Sequence, residues 1–265
     1  HDALPIYRKN LENLIQENPD VLIEATGAHG INYYKYKNRK ELTEELFKLG
    51  LEKTDRFVKH IINNNYEGLI PLQSNPNGHN IYYAKTLGVT LPQMTSFPPD
   101  TVRHKAEFYE YLKTKHPDIK EKDIQLIAIG EHMKGGTCID QYNLPKNKRK
   151  WLCETARAKG LQVVKSAENF RHDYRGVPER VKECLEDISH FVAPAYPIYT
   201  GLISMPAEFH YERSKDGNSV NVRVKRTKTL KQLTDNENII KEVLKDIKNI
   251  KTETYKWAKE RGYDI

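Results

Sequence analysis

The sequence predicts an α/β fold, with a mainly parallel sheet of alternating strands and helices followed by a C-terminal β-hairpin and a long helix. Two observations carry that expectation. Short apolar runs at Val21-Leu22-Ile23, Leu69 to Leu72, Ile124 to Ile129, Leu161 to Val164 and Phe191 to Ala193 are separated by helical patterns of roughly 10 to 15 residues, the rhythm of crossover units. From Ala207 the pattern changes to strict alternation around an Asp-Gly turn, then to a lysine-rich helical stripe.

The elements follow in order. Tyr7 to Gln16 has helical periodicity and stops at Asn18-Pro19, because the residue before proline is biased out of the helical region. Val21 to Ile23 reads as a buried strand that opens into Glu24, Thr26, Gly27, His29 and Gly30. Helical patterns follow over Lys40 to Leu49 and Thr54 to Asn63, with Thr54 as a cap. The strand Leu69 to Leu72 runs into Gln73-Ser74-Asn75-Pro76-Asn77-Gly78-His79, which is turn chemistry. After Phe97-Pro98-Pro99, Asp100 caps a helix running to about Lys115. Ile124 to Ile129 is the clearest buried strand and opens into Gly130 to Gly136. Pro145 starts a helix that reaches Lys159, and Gly160 closes it. Leu161 to Val164 then reads as a strand, Lys165 to Gly176 as a polar loop and Pro178 to Ile188 as a helix. The alternation near Phe209-His210 turns at Lys215-Asp216-Gly217-Asn218 and returns through Val220, Val222 and Val224. Asp235 or Asn236 caps the last helix, from Glu237 to about Arg261, whose Ile240, Val243, Leu244, Ile247 and Ile250 form one stripe. The expected organisation is a catalytic α/β core over 1–200 and a hairpin with helix over 201–265, packed on that core.

No stretch approaches the ~20 apolar residues of a membrane span, and no signal peptide is evident, so the expected setting is the cytoplasm. Cys138, Cys153 and Cys184 form no CxxC pair and are odd in number, which fits a reducing compartment better than a disulfide framework. The 43 basic residues exceed the 36 acidic ones, giving a net charge of +7 that favours anionic partners. Part of the excess is concentrated at Lys146, Lys148, Arg149 and Lys150, and again at Arg223, Lys225, Arg226 and Lys228.

In open parallel sheets and in barrels, active sites lie at the carboxyl ends of the strands. The groups there are Glu24, Thr26 and His29; Gln73, Asn75 and His79; Glu131, His132 and Lys134; Lys165, Glu168, Arg171 and Asp173; and Tyr196. Gly130 to Gly136 with Lys134 also reads as an anion-binding loop, although it matches neither GxGxxG nor GxxxxGK[ST]. Lys165 is a candidate Schiff-base lysine or phosphate contact, with Glu168 as acid or base. His29, His79 and His132 are a candidate transition-metal set, helped by Glu24 or Glu131.

Pro117-Asp118, followed across a strand by Glu131 and Lys134, resembles the Pro-Asp…(Asp/Glu)-x-Lys signature of metal-dependent nucleases. The resemblance implies Asp118 and Glu131 as Mg²⁺ ligands and Lys134 as the group orienting the attacking water, the metal neutralising charge on the scissile phosphate. The sequence departs from the signature in placing two residues, His132 and Met133, between Glu131 and Lys134. Alternation along a strand would set those two side chains on opposite faces.

The functional expectation is an enzyme acting on an anionic substrate. Metal-dependent phosphodiester hydrolysis of nucleic acid comes first, with Glu131, Lys134, Lys165 and Glu168 as catalytic candidates. Gln73, His79, Arg171, Lys148 and Arg149 are the substrate-binding candidates. The alternative is a barrel or doubly wound transferase or lyase acting on a small phosphorylated substrate, and the third reading is a non-catalytic nucleic-acid-binding module.

Overall fold

A computed structural model describes residues 11–17, 19–25, 31, 35–97, 100–142, 144–165, 197–200, 202–213 and 220–265. After the short helix α1 (Leu11–Gln16), three extended segments lie side by side in parallel. Val21 and Glu24 bridge to Leu69 and Leu72, and β1 (Ile70–Pro71) pairs with β2 (Met94–Thr95). Helices α2 (Arg39–Asn63) and α3 (Asn77–Thr86) lie between successive segments in the chain, which makes a βαβαβ unit. Helix α4 (Asp100–Leu112) follows β2.

The remaining sheets are antiparallel. Strand β3 (Leu126–Ile129) forms a hairpin with β4 (Thr137–Asp140), where the sequence suggested a glycine-rich loop alone. Strands β5 (Pro197–Thr200), β6 (Ile203–Arg213) and β7 (Val220–Arg226) form a meander, which Gly130 and Ser204 bridge to the end of β3. The protein is therefore a helix-rich mixture of helix and strand with small sheets, and the mainly parallel sheet expected above is not what the described residues form. Helix α5 (Lys146–Lys165) runs through Gly160 and the predicted strand 161–164. A glycine costs a helix only about 1 kcal/mol relative to alanine, and a four-residue apolar run has no period that separates strand from helix. Helix α2 is likewise one element where two were read. Its buried face runs on through Leu51, Thr54, Asp55, Phe57 and Val58, and Asp55 accepts a 2.8 Å hydrogen bond from the Tyr83 hydroxyl. The predicted strand Phe191 to Ala193, the helix Pro178 to Ile188 and the turn at Lys215 to Asn218 fall outside the described residues.

After the short helix α6 (Leu230–Leu233), helix α7 (Glu237–Glu260) closes the chain, its first turn capped by the Asn236 side chain. Of the expected stripe, Val243 and Ile250 are buried, while Leu244 is exposed. One apolar cluster runs from Leu22, Ile70, Leu72 and Met94 through Ile129 and Met205 to Val243 and Ile250, so residues on both sides of position 200 share a core. No helix among the described residues is long and apolar enough to cross a membrane.

Trp257 of α7 is fully buried, with its ring 6.0 Å from Phe47 of α2 and 5.0 Å from His79 of α3, the latter stacked at 21°. Trp257→Ala removes the anchor that three helices share and is expected to cost about 3–5 kcal/mol, read as a lowered urea midpoint.

Candidate functional site

The N-terminal end of α4 is fastened to the β3–β4 hairpin by three side chains. The Asp100 carboxylate accepts from His132 Nδ1 at 2.9 Å, the Thr101 hydroxyl accepts from the Ala128 amide at 2.9 Å, and His104 Nε2 lies 2.9 Å from the Gly135 carbonyl. Positions i, i+1 and i+4 of a helix fall within one broad face, which turns all three groups toward the hairpin. Asp100 and His104 are each 1% exposed.

Burial pushes the Asp100 carboxyl up. The His132 ring it accepts from outweighs that, with Arg103 and His104 nearby, and the group sits below its ordinary range. An ionised carboxylate can only accept, so the proton of the pair resides on Nδ1 of His132. Arg103, almost one helical turn further along α4, places Nη1 3.7 Å from the second Asp100 oxygen.

The turn between β3 and β4 is tethered on every side. Gly135 and Gly136 have φ of +78° and +63°, a region where a side chain is strained, and a Cβ on Gly135 would meet Arg157 at 2.9 Å. Arg39 of α2 donates to the carbonyls of Met133 and Arg157 at 2.8 and 2.6 Å. Arg157 of α5 donates to the Gly136 carbonyl and the Thr137 hydroxyl, both at 2.6 Å, and Lys134 pairs with Asp246 of α7. The amides of Lys134, Gly135 and Gly136 are spent on the carbonyls of Glu131 and His132. The turn is therefore no anion cradle, and the anion-binding reading of Gly130 to Gly136 is corrected.

Glu131, His79 and Lys134 do come together. With Arg39, Asp246 and Glu253 they line a cavity of ≈ 230 Å³ between the hairpin turn and helices α2 and α7. Burial pushes the Glu131 carboxyl up, against the opposing pull of His79, the Met133 amide that bonds it, His132 and Lys134. His79 Nε2 is 3.4 Å from Glu253 Oε2.

Asp118 is not part of this group. It is exposed ahead of β3 while Glu131 is buried beyond it, and the four residues of that strand alone rise about 13 Å. Gln73 grips the backbone of Phe97, accepting from its amide at 2.9 Å and donating to its carbonyl at 3.2 Å. Lys148 lies over the Trp151 and Tyr111 rings, and Arg149 pairs with Asp140 at 2.7 Å. Lys165 ends α5 rather than following a strand, and Thr26, His29, Glu168, Arg171, Asp173 and Tyr196 lie outside the described residues. His79 and His132 face different partners, Glu253 and Asp100.

Sequence reasoning missed the Asp100–His132 pairing, since Asp100 was read only as a helix cap and His132 as one of the groups following a strand and as a candidate metal ligand. It also missed the contact of Cys138 with Cys153, which are disulfide-bonded here where the cysteine count and spacing led to the expectation of reduced thiols.

No family model and no curated protein matches the sequence at a significant level. The structure does match solved ones. Malate dehydrogenase from Cryptosporidium parvum superposes with a TM-score of 0.64 at 13% identity, over 94% of this chain and 80% of that one. Minor L-lactate dehydrogenase from Enterococcus mundtii gives 0.62 at 13%, over 91% and 78%, and malate dehydrogenase from Aeropyrum pernix 0.60 at 13%, over 92% and 77%. The chain has the Rossmann-like α/β fold of these dehydrogenases. That finding overturns the nuclease reading and, with it, the Mg²⁺ site at Asp118 and Glu131 and the nucleic-acid partner. It equally displaces the transferase or lyase on a phosphorylated substrate and the nucleic-acid-binding module.

The depressed Asp100 fixes a sign. Its ionised form stabilises the fold above the carboxylate range of the unfolded chain, and that contribution is lost as pH falls through the lower folded value. Asp100→Asn is expected to cost about 1.5–3 kcal/mol at neutral pH. The gap from the parent protein should narrow as pH drops below about 4, as urea titrations at several pH values would show.

Proposed function

We propose that this protein is a nicotinamide-dependent oxidoreductase interconverting a small 2-hydroxy acid and its 2-oxo acid. The observation that carries this reading is the pairing of buried Asp100 with the partly exposed His132, set within the fold of lactate and malate dehydrogenases. Oxidising a secondary alcohol requires a base for the hydroxyl proton as hydride leaves the carbon, and the reverse reaction requires an acid at the same place. Imidazole serves both near neutrality. Asp100 holds the Nδ1–H tautomer, which makes Nε2 the nitrogen that exchanges the proton. The guanidinium of Arg103, beside the pair, has the planar fork that suits a substrate carboxylate.

A nicotinamide cofactor, when bound, supplies the hydride acceptor. The residues present fit the reacting end of such a group through the acid–base pair and the adjacent cation. No GxGxxG occurs in the sequence, so no residue of this chain is assigned to a pyrophosphate. In this reading Glu131, His79 and Lys134 are not metal ligands or nucleophiles: Glu131 and His79 are buried polar groups lining the cavity beside the turn, and the exposed Lys134 is held by Asp246. The cytoplasm remains the proposed setting.

The test is to incubate the full-length protein with NAD⁺ or NADP⁺ and a panel of 2-hydroxy acids, following the absorbance of the reduced nicotinamide. Turnover is expected to fall by about 10²–10⁴ in His132→Gln with the urea midpoint retained, and Arg103→Lys is expected to act mainly by raising KM. Absence of turnover with either cofactor across the panel, or unchanged turnover in His132→Gln, would remove the reading.

A further inference from the structure

Where α4, β4 and α5 meet, His104, Cys138 and Cys153 bring one ring nitrogen and two sulfurs within 4.8 Å of one another. They come from three elements, α4, β4 and α5, and each is buried, at 1%, 2% and 9% exposure. Around them lie Phe108, Leu112, Ile124, Leu126 and Leu152. The environment is apolar, where a polar atom without a partner costs free energy.

One atom there lacks a partner. His104 Nε2 is committed to the Gly135 carbonyl at 2.9 Å, and since a carbonyl only accepts, Nε2 carries the ring proton. Burial holds the ring below its ordinary range, so it is neutral and Nδ1 is a bare lone pair. That Nδ1 is buried without a hydrogen-bond partner. The disulfide seen between Cys138 and Cys153 accounts for the sulfurs and leaves this nitrogen unexplained, because a disulfide has no proton to donate. A cation satisfies all three atoms at once. A histidine whose remote N–H is pinned by a backbone carbonyl is also the usual arrangement of a metal-ligating imidazole.

We propose that the reduced chain binds one thiophilic transition-metal ion of the zinc class through Cys138 Sγ, Cys153 Sγ and His104 Nδ1. Two thiolates and an imidazole are a borderline-soft set suited to such an ion and poorly suited to Mg²⁺ or Ca²⁺. Starting from the disulfide, a dithiol reductant delivers two electrons and two protons to give two thiols and is itself oxidised to a disulfide. The metal then displaces the two thiol protons. The bound ion ties α4, β4 and α5 together directly beneath the turn that presents His132, so it stiffens the site without entering the reaction.

The experiment uses the full-length protein, reduced and freed of excess reductant, titrated with Co²⁺ as a spectroscopic substitute and with Zn²⁺ in competition. Expected are one equivalent bound, a thiolate-to-cobalt charge-transfer band with tetrahedral visible absorption, displacement by Zn²⁺, and a higher Tm for the loaded protein. Cys153→Ser and His104→Gln should each lose the tetrahedral spectrum, while Cys184→Ser should keep it. Near-neutral folding of the variants is checked by circular dichroism, and metal-dependent protection of two thiols from a thiol-reactive dye in the unaltered protein provides a readout independent of any variant. A reduced protein that binds neither metal, or that keeps the charge-transfer band in Cys153→Ser, would overturn the proposal and leave the pair as a disulfide only.

Discussion

Three hydrogen bonds from the start of α4 to the β3–β4 hairpin hold the arrangement on which the rest of the site depends. Asp100 takes the His132 ring, Thr101 takes the Ala128 amide and His104 meets the Gly135 carbonyl. Each bond removes a polar group from the debt that burial would otherwise impose. Together they fix the distance between a helix end and a strand end that are 32 residues apart in the chain. Because the groups share one helix face, moving the helix breaks all of them, and the hairpin cannot drift while they are made.

The turn itself is held against a second set of partners. Arg39 from α2, Arg157 from α5 and Asp246 from α7 grip its backbone and its lysine, and two glycines with positive φ let the chain double back in the space left between them. His132 is thus carried on a turn that four helices restrain, although a surface turn of this length would ordinarily be mobile. Preorganisation of that kind is what an acid–base group needs, since proton transfer depends on placing the nitrogen within hydrogen-bond reach of the reacting oxygen.

The sequence made much of the architecture legible. The apolar run before Gly130, the proline before α5, the asparagine cap and apolar stripe of α7 and the alternating arms of the hairpin all identify elements that the structure contains. What failed had local causes. Gly160 looks like a helix terminus, but a glycine within a helix is a small cost, so α5 passes through it. Gly130 to Gly136 resembles a phosphate loop only while the destination of its amides is unknown, and they turn inward. Of the strands flagged for converging residues, β1 and β3 are two and four residues long, 161–164 is helix, and part of the sheet is antiparallel, so a rule based on the carboxyl ends of parallel strands gathered Gln73, Glu131 and Lys165 into one list without a shared site. The groups that matter were each visible, Asp100 as a cap and His132 after a strand, but their pairing depends on how α4 lies across the hairpin. The same holds for Cys138 and Cys153, 15 residues apart, which share no motif and meet only where the fold brings β4 and α5 together.

The claim at the centre of this account is that Asp100 fixes the protonated nitrogen of His132. It is tested most directly by proton NMR of the protein with ¹⁵N-labelled histidine. The expected result is a low-field Nδ1–H resonance, assigned to His132 by its loss in His132→Gln and absent from a folded Asp100→Asn variant. A His132 ring protonated at Nε2 alone, or a resonance that persists unchanged in Asp100→Asn, would contradict the pairing and the acid–base role built on it.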